Sequence, residues 1–102
     1  MIARTWIGVT PKAKADEYLE YLMKTGVKDT ESIRGNQGVY LLRRIRGEHA
    51  EFLFISLWDS IESISKFAGA DPEKAVYYPE DKDFLLELSP KVIHYEVLHK
   101  PS

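Results

Sequence analysis

The sequence predicts an α+β domain of ferredoxin-like order, βαββαβ, with a four-stranded antiparallel sheet and two helices. Three observations point there. Segments rich in β-branched and aromatic residues stand near both ends of the chain and twice in its middle. Two stripes of helical spacing separate them, in the order strand, helix, strand, strand, helix, strand. Turn signals fall between these elements, and the 102 residues contain no repeat, linker or low-complexity tract, so one domain over 1–102 is expected.

The first strand is read over residues 2–9, "IARTWIGV". Thr10 followed by Pro11 fits a helix N-cap with proline in the first turn. Ala15, Tyr18, Leu19, Leu22 and Met23 then form one apolar helix face, and Gly26 is the expected stop. Residues 27–37 are polar and end in the turn signal "RGNQG". "GVYLLRRI" (38–45) and "EFLFISLW" (51–58) read as strands joined by "RGEHA", a hairpin. Asp59, with Glu62 three residues on, resembles a capping box. Ile61, Ile64, Phe67 and Ala68 supply the second helical stripe, ended by Gly69. Asp71-Pro72 can start a short further helix over "PEKAVYY", broken by Pro79. The last strand is read over 92–98, "VIHYEVL".

Both faces of the third strand are apolar. Phe52, Phe54 and Trp58 point one way, and Leu53, Ile55 and Leu57 the other. On the second strand Val39, Leu41 and Ile45 oppose Tyr40 and Leu42. Two helices cover one sheet face only, so the pattern predicts a homodimer in which a second sheet packs on the first, a two-chain α/β barrel.

Composition narrows the function. A formal net charge of -2 offers no basic field for nucleic acid. The absence of cysteine removes disulfides, thiolate metal sites and a cysteine nucleophile. Three histidines without metal-ligand spacing make no metal constellation, and no phosphate-binding or nucleophile-elbow motif is present. No apolar run approaches the roughly 20 residues of a membrane span, and the opening lacks a signal-peptide pattern, so a cytoplasmic protein without membrane partners is expected.

Four segments, "IARTW", "GNQGVYLLRR", "FLFISLWDSIESISKFAG" and "VIHYEVL", resemble in order and spacing the antibiotic biosynthesis monooxygenase (ABM) domains of the dimeric α/β-barrel superfamily. The strand-ending Trp58 before a capped helix carrying Phe67 is the most specific piece. The resemblance implies a ligand between sheet and helices, and its members include cofactor-free oxygenases of polycyclic aromatics and haem-degrading enzymes. It places "AVYYPEDKDFLLEL" (75–88) at the pocket rim, as a pocket wall or lid with tyrosines facing in and "PEDKD" facing water. The haem-degrading branch has a histidine near the position of Tyr77 and an asparagine in the first strand that "ARTW" lacks, which disfavours haem.

Within that pocket the expected catalytic residues are His94, Tyr77 and Trp58, and the expected substrate-binding residues are Arg4, Trp6, Phe67 and Tyr78. Trp58 offers a planar surface and one donor; its plain alternative is a core aromatic. His94 shares a strand face with Glu96, and a carboxylate there would raise the imidazole pKa and orient it as a base. Its alternative is a structural histidine. His49 beside a turn and His99 near the tail are expected to be solvated. Tyr77 is taken as the inward tyrosine. Arg4 shares its strand face with Trp6 and is the best-placed cation, whereas Arg43 and Arg44 read as solvated charge. No cofactor is expected: a deprotonated phenol or enol can itself pass an electron to oxygen. The leading reading is a cofactor-independent monooxygenase of an aromatic or enolic small molecule. The alternatives are a non-catalytic or stress-related binding dimer and an isomerase on the same scaffold.

Overall fold

A computed structural model describes residues 1–101. Strands β1 (Ile2–Pro11), β2 (Asn36–Arg46), β3 (His49–Trp58) and β4 (Ile93–Glu96) form one antiparallel sheet in the order β2-β3-β1-β4. This is the ferredoxin-like topology that the element order predicts, with the central strands β1 and β3 paired from Ile2↔Trp58 to Pro11↔His49. Helices α1 (Ala15–Leu22), α2 (Lys28–Glu31) and α3 (Ile61–Ala68) connect the strands.

Alternation puts Arg4, Gly8, Thr10, Ala50, Phe52, Phe54, Ser56 and Trp58 on the covered face, and all are buried. Tyr18 of α1 meets Phe52 edge-on, with ring centroids 5.3 Å apart, and Ala15, Leu22, Ala50 and Leu85 complete this core. Gly8 is a packing requirement. The indole of Trp6 lies over it, and a Cβ there would fall 2.6 Å from Cζ2 and 2.8 Å from Cζ3, with Cη2 closer still. On the other face Ile7, Tyr40, Leu42, Ile93 and Tyr95 are each about half exposed, around the half-buried Leu53 and Ile55.

Several local expectations are corrected. Thr10 does not cap a helix: β1 runs on through Pro11, the Thr10 hydroxyl donates to the Pro11 carbonyl, and a 3₁₀ turn at Lys12–Lys14 leads into α1. Gly26 does not stop the helix. A π-helical turn, Met23–Val27, carries the chain into α2, because Val27 and Thr30 continue the buried side beyond the glycine. The cap of α3 is Ser60, one residue after the expected Asp59; its Oγ accepts from the Ser63 N–H at 3.2 Å. Asp59 instead accepts from the Ser63 hydroxyl at 2.6 Å, which holds its carboxyl below the usual range. No helix forms over "PEKAVYY". Lys74 bridges to Lys91, and the only helical turn in that connection is Asp81–Asp83. The last strand is four residues long, shorter than expected, and pairs with Ile2–Thr5 of β1.

Candidate functional site

The space between sheet, helices and the 75–88 connection is a narrow cleft, open to solvent, with a cavity volume of about 40 Å³. β1 contributes Arg4 and Trp6, β3 contributes Phe54, and α1 contributes Tyr18 and Leu22. Phe67 comes from α3, and Val76, Tyr77, Tyr78 and Asp81 come from the connection. Five of the seven residues expected at the site, Arg4, Trp6, Phe67, Tyr77 and Tyr78, therefore line one cavity.

Arg4 is 5% exposed and has no carboxylate partner among the described residues. Its Nη2 donates to the Lys74 carbonyl at 2.8 Å, its guanidinium carbon stands 5.5 Å from the centre of the Phe67 ring, and its Nε has no partner. Burial lowers its pKa to about 10, still far above neutrality. The cleft therefore holds a permanent, poorly neutralised cation against an aromatic face.

Trp6 and Tyr77 form the middle of the cleft. Trp6 Nε1 donates to the Tyr77 hydroxyl at 3.1 Å, and that hydroxyl donates to the Ser89 carbonyl at 2.6 Å. Both polar groups are thus engaged within the protein, and burial raises the Tyr77 pKa. The Tyr78 hydroxyl donates to Asp29 on α2 at 2.6 Å, which ties the connection to the helix. Burial and that carboxylate push the Tyr78 pKa up.

Trp58 and His94 are not among the lining residues. Trp58 is fully buried, its Nε1 donates to Ser56 Oγ at 2.8 Å, and its ring stacks on Phe67 at 6.5 Å. It backs the cleft wall from inside the core. His94 pairs with Arg4 across β4 and β1, and its Nε2 is buried without a partner. The expected effect of Glu96 is corrected. Burial first, then Arg4, lowers the His94 pKa, and the carboxylate acting the other way is Glu73.

Sequence reasoning missed Tyr18 and Asp81. Tyr18 was read only as part of an apolar stripe, and Asp81 as part of a wet outer surface. Asp81 is 4% exposed and lines the cleft. Its Oδ1 accepts from the Tyr18 hydroxyl at 2.9 Å and its Oδ2 from the Tyr78 N–H at 2.6 Å. Burial and Asp81 together drive the Tyr18 pKa far up, so this phenol stays protonated. A tyrosine at the centre of an apolar helix face needs a hydrogen-bond partner, and that was the available signal. The 75–88 connection is also pinned beyond the tyrosines: Ala75 and Leu85 are buried, and the Leu86 N–H donates to the Val9 carbonyl at 2.9 Å. Among the described residues no group of histidine and carboxylate side chains is placed to hold a metal ion, and no helix is long and apolar enough to cross a membrane.

This is a ferredoxin-like α+β domain with an aromatic cleft between sheet and helices, the fold of the antibiotic biosynthesis monooxygenase-type proteins. A Bacillus cereus structure whose designation as an antibiotic biosynthesis monooxygenase is itself provisional superposes with a TM-score of 0.67 at 14% identity, over 99% of this chain and 96% of that one. The haem-degrader MhuD of Mycobacterium tuberculosis, solved with two haems in its active site, matches with a TM-score of 0.61 at 19% identity, over 100% of both chains. A further Mycobacterium tuberculosis structure, Rv0793, gives 0.59 at 15% identity, again over 100% of both. No protein-family model and no curated protein sequence matches the chain.

Proposed function

We propose that the protein is a cofactor-independent monooxygenase of a planar aromatic or enolic small molecule, working as a homodimer. The observation that carries this reading is the cleft itself: aromatic walls from β1, β3, α1, α3 and the 75–88 connection around a buried arginine that lacks a carboxylate. Aromatic walls take a planar ring, and a buried cation stabilises a substrate that has become an anion. Its similarity in fold to ABM-type structures supports the same class. The lining residues include no histidine, so the usual haem ligand is not at hand in this cleft.

The chemistry needs no external reductant. A naphthol, C10H8O, gives its phenolic proton to a base, and the naphtholate passes electrons to O2. The balanced outcome is C10H8O + O2 → C10H6O2 + H2O, with one oxygen atom entering the quinone and the other leaving as water. All four electrons come from the substrate. The residues expected to act on it are Arg4 for the oxyanion, Trp6, Phe67 and Tyr78 as walls, and Tyr77 as rim, with Trp58 supporting Phe67 and His94 beside Arg4. The second chain would cover Ile7, Tyr40, Leu42, Ile93 and Tyr95 on the open sheet face.

A second reading, a binding protein without chemistry, has one observation in its favour: the Trp6 and Tyr77 polar groups are already spent on each other and on Ser89. Incubation with naphthols and dihydroxynaphthalenes under ¹⁸O₂, with no haem, flavin or metal added, separates the two. Mass spectrometry should find one labelled oxygen per quinone, at a rate that Arg4→Met abolishes. Binding without oxygen uptake leaves the second reading, and no binding sinks both.

A further inference from the structure

The cleft offers a substrate a cation but no proton acceptor. We propose that it selects substrates acidic enough to enter as preformed anions: enols, or phenols made acidic by a neighbouring carbonyl, with the charged oxygen set on Arg4. The inference rests on the reading of the cleft as a planar-aromatic site.

Every group in the cleft that could take a proton is already engaged. No histidine is among the lining residues. The three lining tyrosines all donate within the protein: Tyr18 to Asp81, Tyr77 to the Ser89 carbonyl and Tyr78 to Asp29. Burial raises the pKa of each, so none stands as a tyrosinate at neutral pH. Asp81 is the one lining carboxylate. Its Oδ1 accepts from the Tyr18 hydroxyl and its Oδ2 from the Tyr78 N–H. Tyr18 keeps its proton in that bond, and a carboxylate that leaves one phenol protonated does not strip another. His94 pairs with Arg4 across the sheet but does not line the cleft, and burial and Arg4 disfavour the charge it would gain as a base.

The positive charge is not matched in the same way. Arg4 is buried, spends Nη2 on the neutral Lys74 carbonyl and leaves Nε without a partner. From α3 it meets only the ring of Phe67. From β4 it meets His94, which is neutral at pH 7, and Glu73 acts on that histidine. An anionic oxygen supplies the counter-charge that the site lacks. The ligand O–H bond therefore breaks before binding: the proton passes to bulk water, the electron pair stays on the oxygen, and the anion enters. The base in the proposed oxidation is then solvent, and the protein holds the electron-rich form.

The test compares 2-hydroxy-1,4-naphthoquinone, an acidic enol, with 2-naphthol, a weak acid, and with 1,4-naphthoquinone, which has no hydroxyl. Each is titrated by calorimetry and absorbance between pH 7 and pH 9, where Arg4 stays charged and His94 neutral. The affinity for the hydroxyquinone should be flat over this range. That for 2-naphthol should rise about ten-fold per pH unit, following its ionised fraction, and its binding at pH 7 should release one proton to buffer. Arg4→Met should weaken the hydroxyquinone by about ten-fold and spare 1,4-naphthoquinone. A pH-independent affinity for 2-naphthol, with a naphtholate band and no proton released, would reveal a base in the cleft and overturn the proposal. Equal binding of all three ligands would overturn it too, while leaving the aromatic cleft intact. Both results are read on the wild-type protein, whether or not Arg4→Met folds. If none of the three binds, the aromatic reading falls and the proposal with it.

Discussion

Gly8→Ala places one methyl group against the ring that forms the middle of the cleft. The added Cβ would sit 2.6 and 2.8 Å from two carbons of the Trp6 six-membered ring. Ordinary carbon contacts lie near 3.5–4.0 Å, so the indole must move by about 1 Å or more. The 3.1 Å bond from Trp6 Nε1 to Tyr77 cannot survive that movement unchanged. Overpacking costs about 1–3 kcal/mol and the weakened hydrogen bond about 1 kcal/mol. The gain in backbone entropy from replacing glycine offsets about 0.5–1 kcal/mol, since Gly8 is not among the glycines with positive φ. A net loss of about 2 kcal/mol should lower Tm by roughly 8–15 °C in a chain of this size. Thermal melts of Gly8→Ala, Trp6→Phe and the double variant read the coupling directly. Phenylalanine lacks the carbons that collide, so the alanine should cost less than about 0.5 kcal/mol in that background. If Gly8→Ala costs the same with tryptophan or phenylalanine at position 6, the indole does not lie over Gly8 and this picture of the cleft is wrong.

Tyr77→Phe strands both the Trp6 N–H and the Ser89 carbonyl, and should destabilise by about 1–3 kcal/mol in a denaturant melt; an unchanged midpoint would mean that the hydroxyl is not structural. His94 has a folded pKa below its ordinary value of 6.5 because burial and Arg4 disfavour its charge. Its contribution is therefore complete above about pH 6.5 and is lost as pH falls toward the folded pKa, where the unfolded chain binds the extra proton. Tm measured from pH 8 to pH 5 should fall less steeply in His94→Gln; parallel curves would remove His94 from the acid response. Leu42→Glu, on the half-exposed sheet face, should shift the mass in light scattering from twice the 11.8 kDa of one chain to a single chain. A wild-type monomer would show that no second copy covers this face.

Period-two alternation made much of this fold legible. It placed Arg4 and Trp6 on one face, and it put Tyr40 and Leu42 opposite Leu41. The helical stripe that contains Phe67 led to α3 in the same way. What stayed hidden has local causes. Gly26 looked like a helix stop, but a π-helical turn passes through it because packing beyond the glycine outweighs its intrinsic cost. Parity alone put Trp58 on the covered face, yet whether it met ligand or core depended on α3 stacking Phe67 over it. Asp81 sits in a run of four charged residues, where solvation is the default reading. Its inward turn depends on a single 3₁₀ turn and on a tyrosine hydroxyl 63 positions earlier in the chain, a pairing that no local pattern reveals.

The two tryptophans offer the most direct measurement of where ligand binds. Trp6 lines the cleft, and Trp58 lies fully buried behind Phe67, so each chain gives two indole N–H resonances that report on different depths. On titration of the ¹⁵N-labelled protein with 2-naphthol, the Trp6 resonance, assigned by its loss in Trp6→Phe, should move progressively and saturate. The Trp58 resonance should stay nearly fixed, held by its bond to Ser56. A Trp6 resonance that does not move while calorimetry records saturable binding would place the ligand elsewhere on the protein and contradict the cleft as the functional site.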